Sequence, residues 1–179
     1  MAAGVNRTLE GSPGPLSAFE DLVREHQRMI HALCYRMTGS LADAEDLAQE
    51  TFIRAYHHWE DFRGDAQISS WLYRIALNQC LNWRKRTARR EQLHREWSQD
   101  GPAAGEQVPR RSEQIQDALL KLSPEQRAAV VLTTYDGLSH AEVARVLGCA
   151  ETTVSWRLFA ARRILKQQLE KLDKSCGSL

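Results

Sequence analysis

The sequence predicts an all-α protein: two small helical domains joined by a flexible linker, the second carrying a helix-turn-helix. Three observations lead there. Apolar residues recur at three- and four-residue spacing through most of the chain, with no alternation that reads as strand. Residues 96–111 interrupt that pattern with Gly101-Pro-Ala-Ala-Gly105 and Pro109, which do not continue a helix comfortably. Near the C-terminal end, Ser139 to Arg163 spaces two apolar stripes around Gly148 as a helix-turn-helix requires. The resulting division is a tail over residues 1–16, a first domain over 17–92, a linker over 93–111, a second domain over 112–172 and a tail over 173–179.

Each element has a local reason. Gly11-Ser-Pro-Gly-Pro15 marks the tail, and Ser17-Ala-Phe-Glu20 has the form of a capping box that starts a helix. Phe19, Leu22, Val23, Met29 or Ile30, Leu33 and Met37 form its apolar stripe, and Gly39 ends it. Ser40 caps a second helix whose inward stripe is Leu41, Ala44, Leu47, Ala48, Thr51, Phe52, Ala55 and Trp59. A polar loop over 60–67 turns at Gly64. Ser69 or Ser70 then caps a third helix carrying Leu72, Ile75, Ala76 and Trp83. In the second domain Ile115, Leu119 and Leu122 share one face. Ser123-Pro124 starts the next helix with proline in the first turn, where its missing N–H costs nothing. Val130, Val131 and Tyr135 support that helix, and Gly137 stops it. Ser139-His-Ala-Glu142 is another capping box. Val143, Ala144 and Leu147 face inward before Gly148, and Val154, Leu158, Ala161, Leu165 and Leu169 continue the stripe beyond it.

Composition narrows the function. The net charge of +1 conceals segregated blocks: six acids against Arg54 between Leu41 and Asp61, and six bases against Glu91 between Arg84 and Arg95. Such blocks often are plain solvated faces, but separation by sign also suits separate partners. The four cysteines, Cys34, Cys80, Cys149 and Cys176, have no metal-ligand spacing and read as reduced thiols, so no metal is expected. No apolar run reaches the ~18 residues of a membrane helix, and no apolar signal core opens the chain. A cytoplasmic protein without membrane insertion is the expectation. No phosphate-binding glycine loop is present, and no cofactor is expected.

Two segments carry nucleic-acid chemistry. Asp61 to Asn78 interleaves aromatics with cations and runs into the bases Arg84, Lys85 and Arg86, a pattern suited to unstacked bases and their phosphates. The helix after Gly148 offers Thr152, Thr153, Ser155, Trp156, Phe159 and Arg163 outward, with Arg157, Arg162 and Lys166 as phosphate attraction. Packing against a neighbouring helix is the alternative account of Trp156 and Phe159, but both lie off the apolar stripe, so exposure is the more economical reading. A regulator using the helix-turn-helix alone would leave the aromatic-basic helix and the acidic face unexplained. An enzyme or metal protein built on Asp46, Glu50 and His57, which share a helical face, has no matching motif elsewhere.

Asp43-Ala-Glu-Asp-Leu-Ala-Gln-Glu-Thr-Phe-Ile-Arg-Ala-Tyr56, Phe62-Arg-Gly-Asp65 and Ser70-Trp-Leu-Tyr-Arg-Ile-Ala-Leu-Asn78 closely resemble bacterial sigma factors of the extracytoplasmic-function group. Leu122-Ser-Pro-Glu-Gln-Arg127, Gly137-Leu-Ser139, Glu142-Val-Ala144, Thr153-Val154 and Arg157-Leu158 resemble the same group independently. The resemblance implies an alternative sigma factor, not an enzyme. Its partners would be core RNA polymerase (the β′ clamp helices and the β flap), promoter DNA and an anti-sigma factor. It assigns Asp43, Asp46, Gln49, Glu50 and Arg54 to the polymerase. It assigns Phe62, Asp65, Ser70, Trp71, Tyr73, Arg74, Asn78, Arg84, Lys85 and Arg86 to a single-stranded −10 element. Thr152, Thr153, Ser155, Trp156, Arg157, Phe159, Ala160 and Arg163 fall to a duplex −35 element. Ser155 and Ala160 stand where the family often has cations, so methyl contacts and shape are expected to replace arginine–guanine pairs.

Overall fold

A computed structural model of the chain describes residues 15–59, 62, 67–97 and 111–176. Helices α1 (Pro15–Thr38), α2 (Leu41–His57) and α3 (Ile68–Trp97) form the first unit, and α4 (Arg111–Leu120), α5 (Pro124–Val130), α6 (His140–Leu147) and α7 (Glu151–Cys176) the second. The tails and most of the expected linker lie outside the described residues, as do Glu60, Asp61 and Asp65. Side chains of residues 171–176, Cys176 among them, lie outside them as well.

Capping chemistry sets most boundaries. The Ser40 hydroxyl accepts from the Asp43 N–H at the start of α2. Ser123 and Gln126 satisfy each other's backbone N–H groups at the start of α5, with Pro124 at the first helical position. Ser139 and Glu142 do the same for α6, and these bonds hold the Glu142 carboxyl below the usual carboxylate range. Two expected caps are not used. α1 begins at Pro15 and α3 at Ile68, so Ser17, Ser69 and Ser70 lie inside helices. α3 and α7 also run further than expected, to Trp97 and Cys176.

One continuous core joins the two units. Ile30, Leu33, Leu72, Ala76 and Leu77 belong to the same cluster of buried residues as Val131, Leu132, Val143 and Val154. Leu41 and Leu169, expected inside, are exposed instead. Leu41 is the first residue of α2, and Leu169 edges a groove shared with Ile115 and Tyr135. Beyond Val130, α5 widens into one π turn over Val131–Tyr135, closed by the Asp136 N–H on the Val131 carbonyl. That extra residue per turn re-aims the end of the helix. Tyr135 then lies under the Arg36 guanidinium, 4.2 Å from the ring centre.

Arg127 ties the units together. It is 1% exposed, and all four of its acceptors are backbone carbonyls. Nε donates to Leu119 at 2.8 Å, Nη2 to Leu120 at 2.9 Å and to Leu122 at 3.2 Å, and Nη1 to Met37 at the end of α1. Burial, helped by nearby Arg84, pushes the guanidinium down to about 10, so it stays charged at neutral pH. Arg127→Met should therefore lower unfolding free energy by about 3 kcal/mol in urea titration, because four carbonyls lose a charged donor. Arg127→Lys should recover only part of that, since one ammonium does not span the same four acceptors.

Candidate polymerase and nucleic-acid interfaces

Three surfaces hold the residues singled out by the sequence. The first is the outer side of α2. Asp46, Gln49 and Arg54 are exposed there, and Glu50 is half-buried and ion-paired to Arg54 at 2.8 Å. Asp43 does not join them freely: its carboxylate accepts from the Trp83 indole at 3.1 Å and so turns toward α3. Phe52 is not opposite this face, as its place in the apolar stripe suggested. With Val23, His31, Glu45, Gln49 and Ile53 it lines a groove of about 750 Å³ between α1 and α2. Ile53 stands 53% exposed beside the acids, and the sequence reading passed over it. The face is thus acidic with an apolar margin, which suits a basic partner that also has apolar surface.

The second surface is built on α3. Phe62 stacks on Trp59, with ring centres 6.2 Å apart and 10° between planes, and leans on Trp71 at 5.0 Å. Phe19 meets Trp59 edge-on at 5.6 Å. Phe62 and Trp71 are therefore both half-buried members of one aromatic cluster, and Ser70 beside them is also half-buried. Arg74, Asn78, Lys85 and Arg86 are exposed, with Arg84 half-buried. Tyr73 is not on that face. Five residues turn an α-helix by about 140°, and Tyr73 is 4% exposed while Asn78 points to solvent. Its phenol donates to the Asp136 carboxylate of the second unit. Burial and that carboxylate push Tyr73 well above the usual phenol range. Its neighbour Arg74 donates to the Arg145 carbonyl of α6 at 2.6 Å.

The third surface is the N-terminal half of α7. Gly148, at φ +62°, makes the left-handed turn between α6 and α7, and Val143, Ala144, Val154 and Leu158 pack the two helices together. Thr152, Ser155, Trp156, Phe159 and Arg163 then form one exposed stripe, with Trp156 66% and Phe159 69% exposed. Thr153 and Ala160 flank it, half-buried. Arg157 turns back to the Cys149 sulfur at 3.5 Å. His140, not singled out from sequence, stands 3.1 Å by Nδ1 from the Ser155 hydroxyl, which itself donates to the Glu151 carbonyl. Its place just after the cap Ser139 was the available signal. Among the described residues no group of three His, Cys, Asp or Glu side chains is gathered as a metal site, and no helix is long and apolar enough to cross a membrane.

Comparison with known proteins agrees with this arrangement. Residues 22–90 match the Sigma-70 region 2 family and residues 112–165 match Sigma-70, region 4. The ECF RNA polymerase sigma factor SigM of Mycobacterium tuberculosis is 37% identical over 166 residues, 89% of this chain and 81% of its own length. SigW of Bacillus subtilis is 35% identical over 173 residues, 89% of this chain and 92% of its own. The chain belongs to the ECF sigma factors of the sigma-70 family. Solved relatives share its fold. CnrH in complex with the cytosolic domain of CnrY matches with a TM-score of 0.67 and 30% identity, over 88% of this chain and 91% of that one. RpoE of Bartonella quintana, bound to the anti-sigma factor NepR, matches with a TM-score of 0.72 and 24% identity, over 86% and 98%. As a sigma factor the protein directs core RNA polymerase to promoters and supports transcription initiation.

Two aspartates of the acidic stretch of this sigma factor, Asp43 and Asp46, should separate in their effects. Asp43→Ala should cost about 1 kcal/mol of stability by removing the acceptor of a part-buried indole. Asp46→Ala should change it by less than about 0.5 kcal/mol, as surface substitutions do. Thermal melts followed by circular dichroism check both.

Proposed function

We propose that the three surfaces divide the work of initiation. The outer face of α2 (Asp46, Gln49, Glu50 and Arg54, with Asp43 at its edge) docks on core polymerase at the β′ clamp helices. The groove edged by Ile115, Tyr135 and Leu169 takes the β flap. The α3 surface captures the melted −10 strand: Arg74, Arg84, Lys85 and Arg86 neutralise phosphates, Asn78 reads a base edge, and Phe62 and Trp71 supply stacking, with Ser70 and Asp65 in the adjoining loop and first turn. The α7 stripe reads the −35 duplex. Capture of a strand already separated needs binding energy alone, so no nucleotide is spent by this chain. A protein that covers these faces is part of the same reading, as the structural neighbour CnrH carries the cytosolic domain of CnrY.

The single observation that carries the proposal is the α7 stripe. Two large aromatics, two hydroxyls and a terminal cation are held outward on a helix whose other side is fixed by Val154, Leu158 and Ala161. Exposed Trp and Phe are costly to leave in water unless a partner covers them, and thymine methyls in a major groove are such a partner.

Run-off transcription from fragmented genomic DNA, with purified core polymerase and this protein, tests the whole reading. Discrete new starts that share paired upstream elements are expected. On such a start, the double variant Trp156→Ala/Phe159→Ala should lower transcription about tenfold or more, the scale of losing two central interface residues. Asp46→Lys with Glu50→Lys should weaken core binding about tenfold by reversing the face's charge. Absence of new starts, with binding of a duplex by the protein alone, would leave a regulator that works without polymerase.

A further inference from the structure

The first residue of α6 sends its side chain to the exposed stripe of α7. His140 is held in place by its own helix. The Ser139–Glu142 capping box closes the turn in which it sits, and the Val143 N–H donates to the Ser139 carbonyl at 2.9 Å. The Cys149 N–H on the Ala144 carbonyl and the left-handed Gly148 then set α6 against α7. From that frame His140 Nδ1 stands 3.1 Å from the Ser155 hydroxyl, and the same hydroxyl lies 3.1 Å from the Glu151 carbonyl one turn back. Ser155 is exposed, on one helix face with Thr152 and Phe159. The division of surfaces above gives His140 no part.

A hydroxyl has one proton and two lone pairs. A carbonyl only accepts, so the Ser155 proton goes to Glu151, and the contact with His140 is filled when Nδ1 carries a proton and donates. The opposite choice, Ser155 donating to Nδ1, would leave two oxygen lone pairs facing each other at 3.1 Å. An imidazolium carries the same Nδ1 proton, so the arrangement does not depend on the ring's charge. With its proton spent and one lone pair filled, Ser155 has a single lone pair to offer outward. We infer that His140 is a positioning residue for −35 specificity: by donating to Ser155 it restricts that hydroxyl to accepting, so that one position of the element is read through a base amine. A serine left to itself serves as donor or acceptor on a base edge. In the major groove adenine N6 and cytosine N4 donate where thymine O4 and guanine O6 accept. The signature is therefore amino against keto at one base pair. The inference rests on the assignment of the α7 stripe to the −35 duplex and names a selectivity within it.

The test uses holoenzyme assembled from core polymerase and the full chain, on a start mapped by run-off transcription. Each −35 position carries every base pair in turn, and fluorescence anisotropy with labelled promoter duplexes gives holoenzyme affinity. Wild type, His140→Ala, Ser155→Ala and the double variant are compared, with circular dichroism melts to confirm that each is folded. At one position the wild type should favour adenine and cytosine over guanine and thymine on the same strand by about fivefold, the scale of one hydrogen bond made rather than left unmade. His140→Ala should bring that ratio within about twofold, because the hydroxyl is then free to donate or accept. Ser155→Ala should do the same, and the double variant should match it, since His140 acts through that hydroxyl. A purely structural His140 would lower binding to all sequences evenly and leave the ratio intact, which overturns the inference. So does a wild type with no amino-against-keto position, or a ratio that survives Ser155→Ala. Failure of the underlying assignment looks different: the Trp156→Ala/Phe159→Ala variant then keeps the wild-type preferences at every −35 position, and the inference falls with it.

Discussion

The fold depends on one buried cation that has backbone dipoles for partners. A helix leaves its last carbonyls without N–H donors, and α4 ends at Leu120 with the chain turning directly into α5. Arg127 closes that end from the neighbouring helix and, with its remaining arm, closes the end of α1 at Met37. The guanidinium suits this because its donors spread in a plane toward several acceptors at once. An apolar residue would fill the volume and leave the carbonyls dry. The corner where α1, α4 and α5 meet is thereby fixed, and Gln116 and Leu120 are placed against Tyr35, Arg36 and Gly39 as a consequence.

From that corner the second unit is built outward by local rules. The capping box at Ser139 starts α6 and the left-handed Gly148 ends it, so the direction of α7 follows from two short sequence features. The π turn before them has a different effect. It carries Tyr135 and Asp136 toward the first unit, where Arg36 and Tyr73 wait. The same few residues therefore set the direction of α7 and press the base of the second unit against the first.

What the sequence made legible is what depends on neighbours in the chain. Ser40, Ser123 with Pro124, Ser139 with Glu142, and Gly148 all act where their chemistry placed them, because a cap is a contact over three or four residues. The failures share a cause. Ser17 and Ser70 have the right composition for caps, but α1 and α3 begin before them, at Pro15 and Ile68. Leu41 and Leu169 keep helical spacing past the point where another helix remains to cover them. Arg127 gave no signal, since nothing local distinguishes a buried arginine from a solvated one. Tyr73 could be placed on α3, but its azimuth toward Asp136 comes from a residue 63 positions away. Of the candidate interfaces, the α7 stripe was the most fully legible, being one helix face. The α3 surface was the least, because Tyr73 lies on the other side of the helix, where the second unit covers it.

The composition of the α7 stripe also limits how it would recognise DNA under the proposed reading. Arg157, the cation nearest its centre, is turned toward Cys149, and the remaining cations Arg162, Arg163 and Lys166 come later along the helix. Charge is therefore concentrated further along α7, while its first turns carry hydroxyls and aromatics. Such a division separates two quantities that an arginine at the centre would couple. Backbone cations set affinity and its fall with salt, without regard to sequence. Apolar contacts and oriented hydroxyls set the discrimination, nearly independent of salt. Under the proposed −35 reading the Ser155 hydroxyl, 3.1 Å from His140 Nδ1 and with its proton on the Glu151 carbonyl, would meet a base as an acceptor.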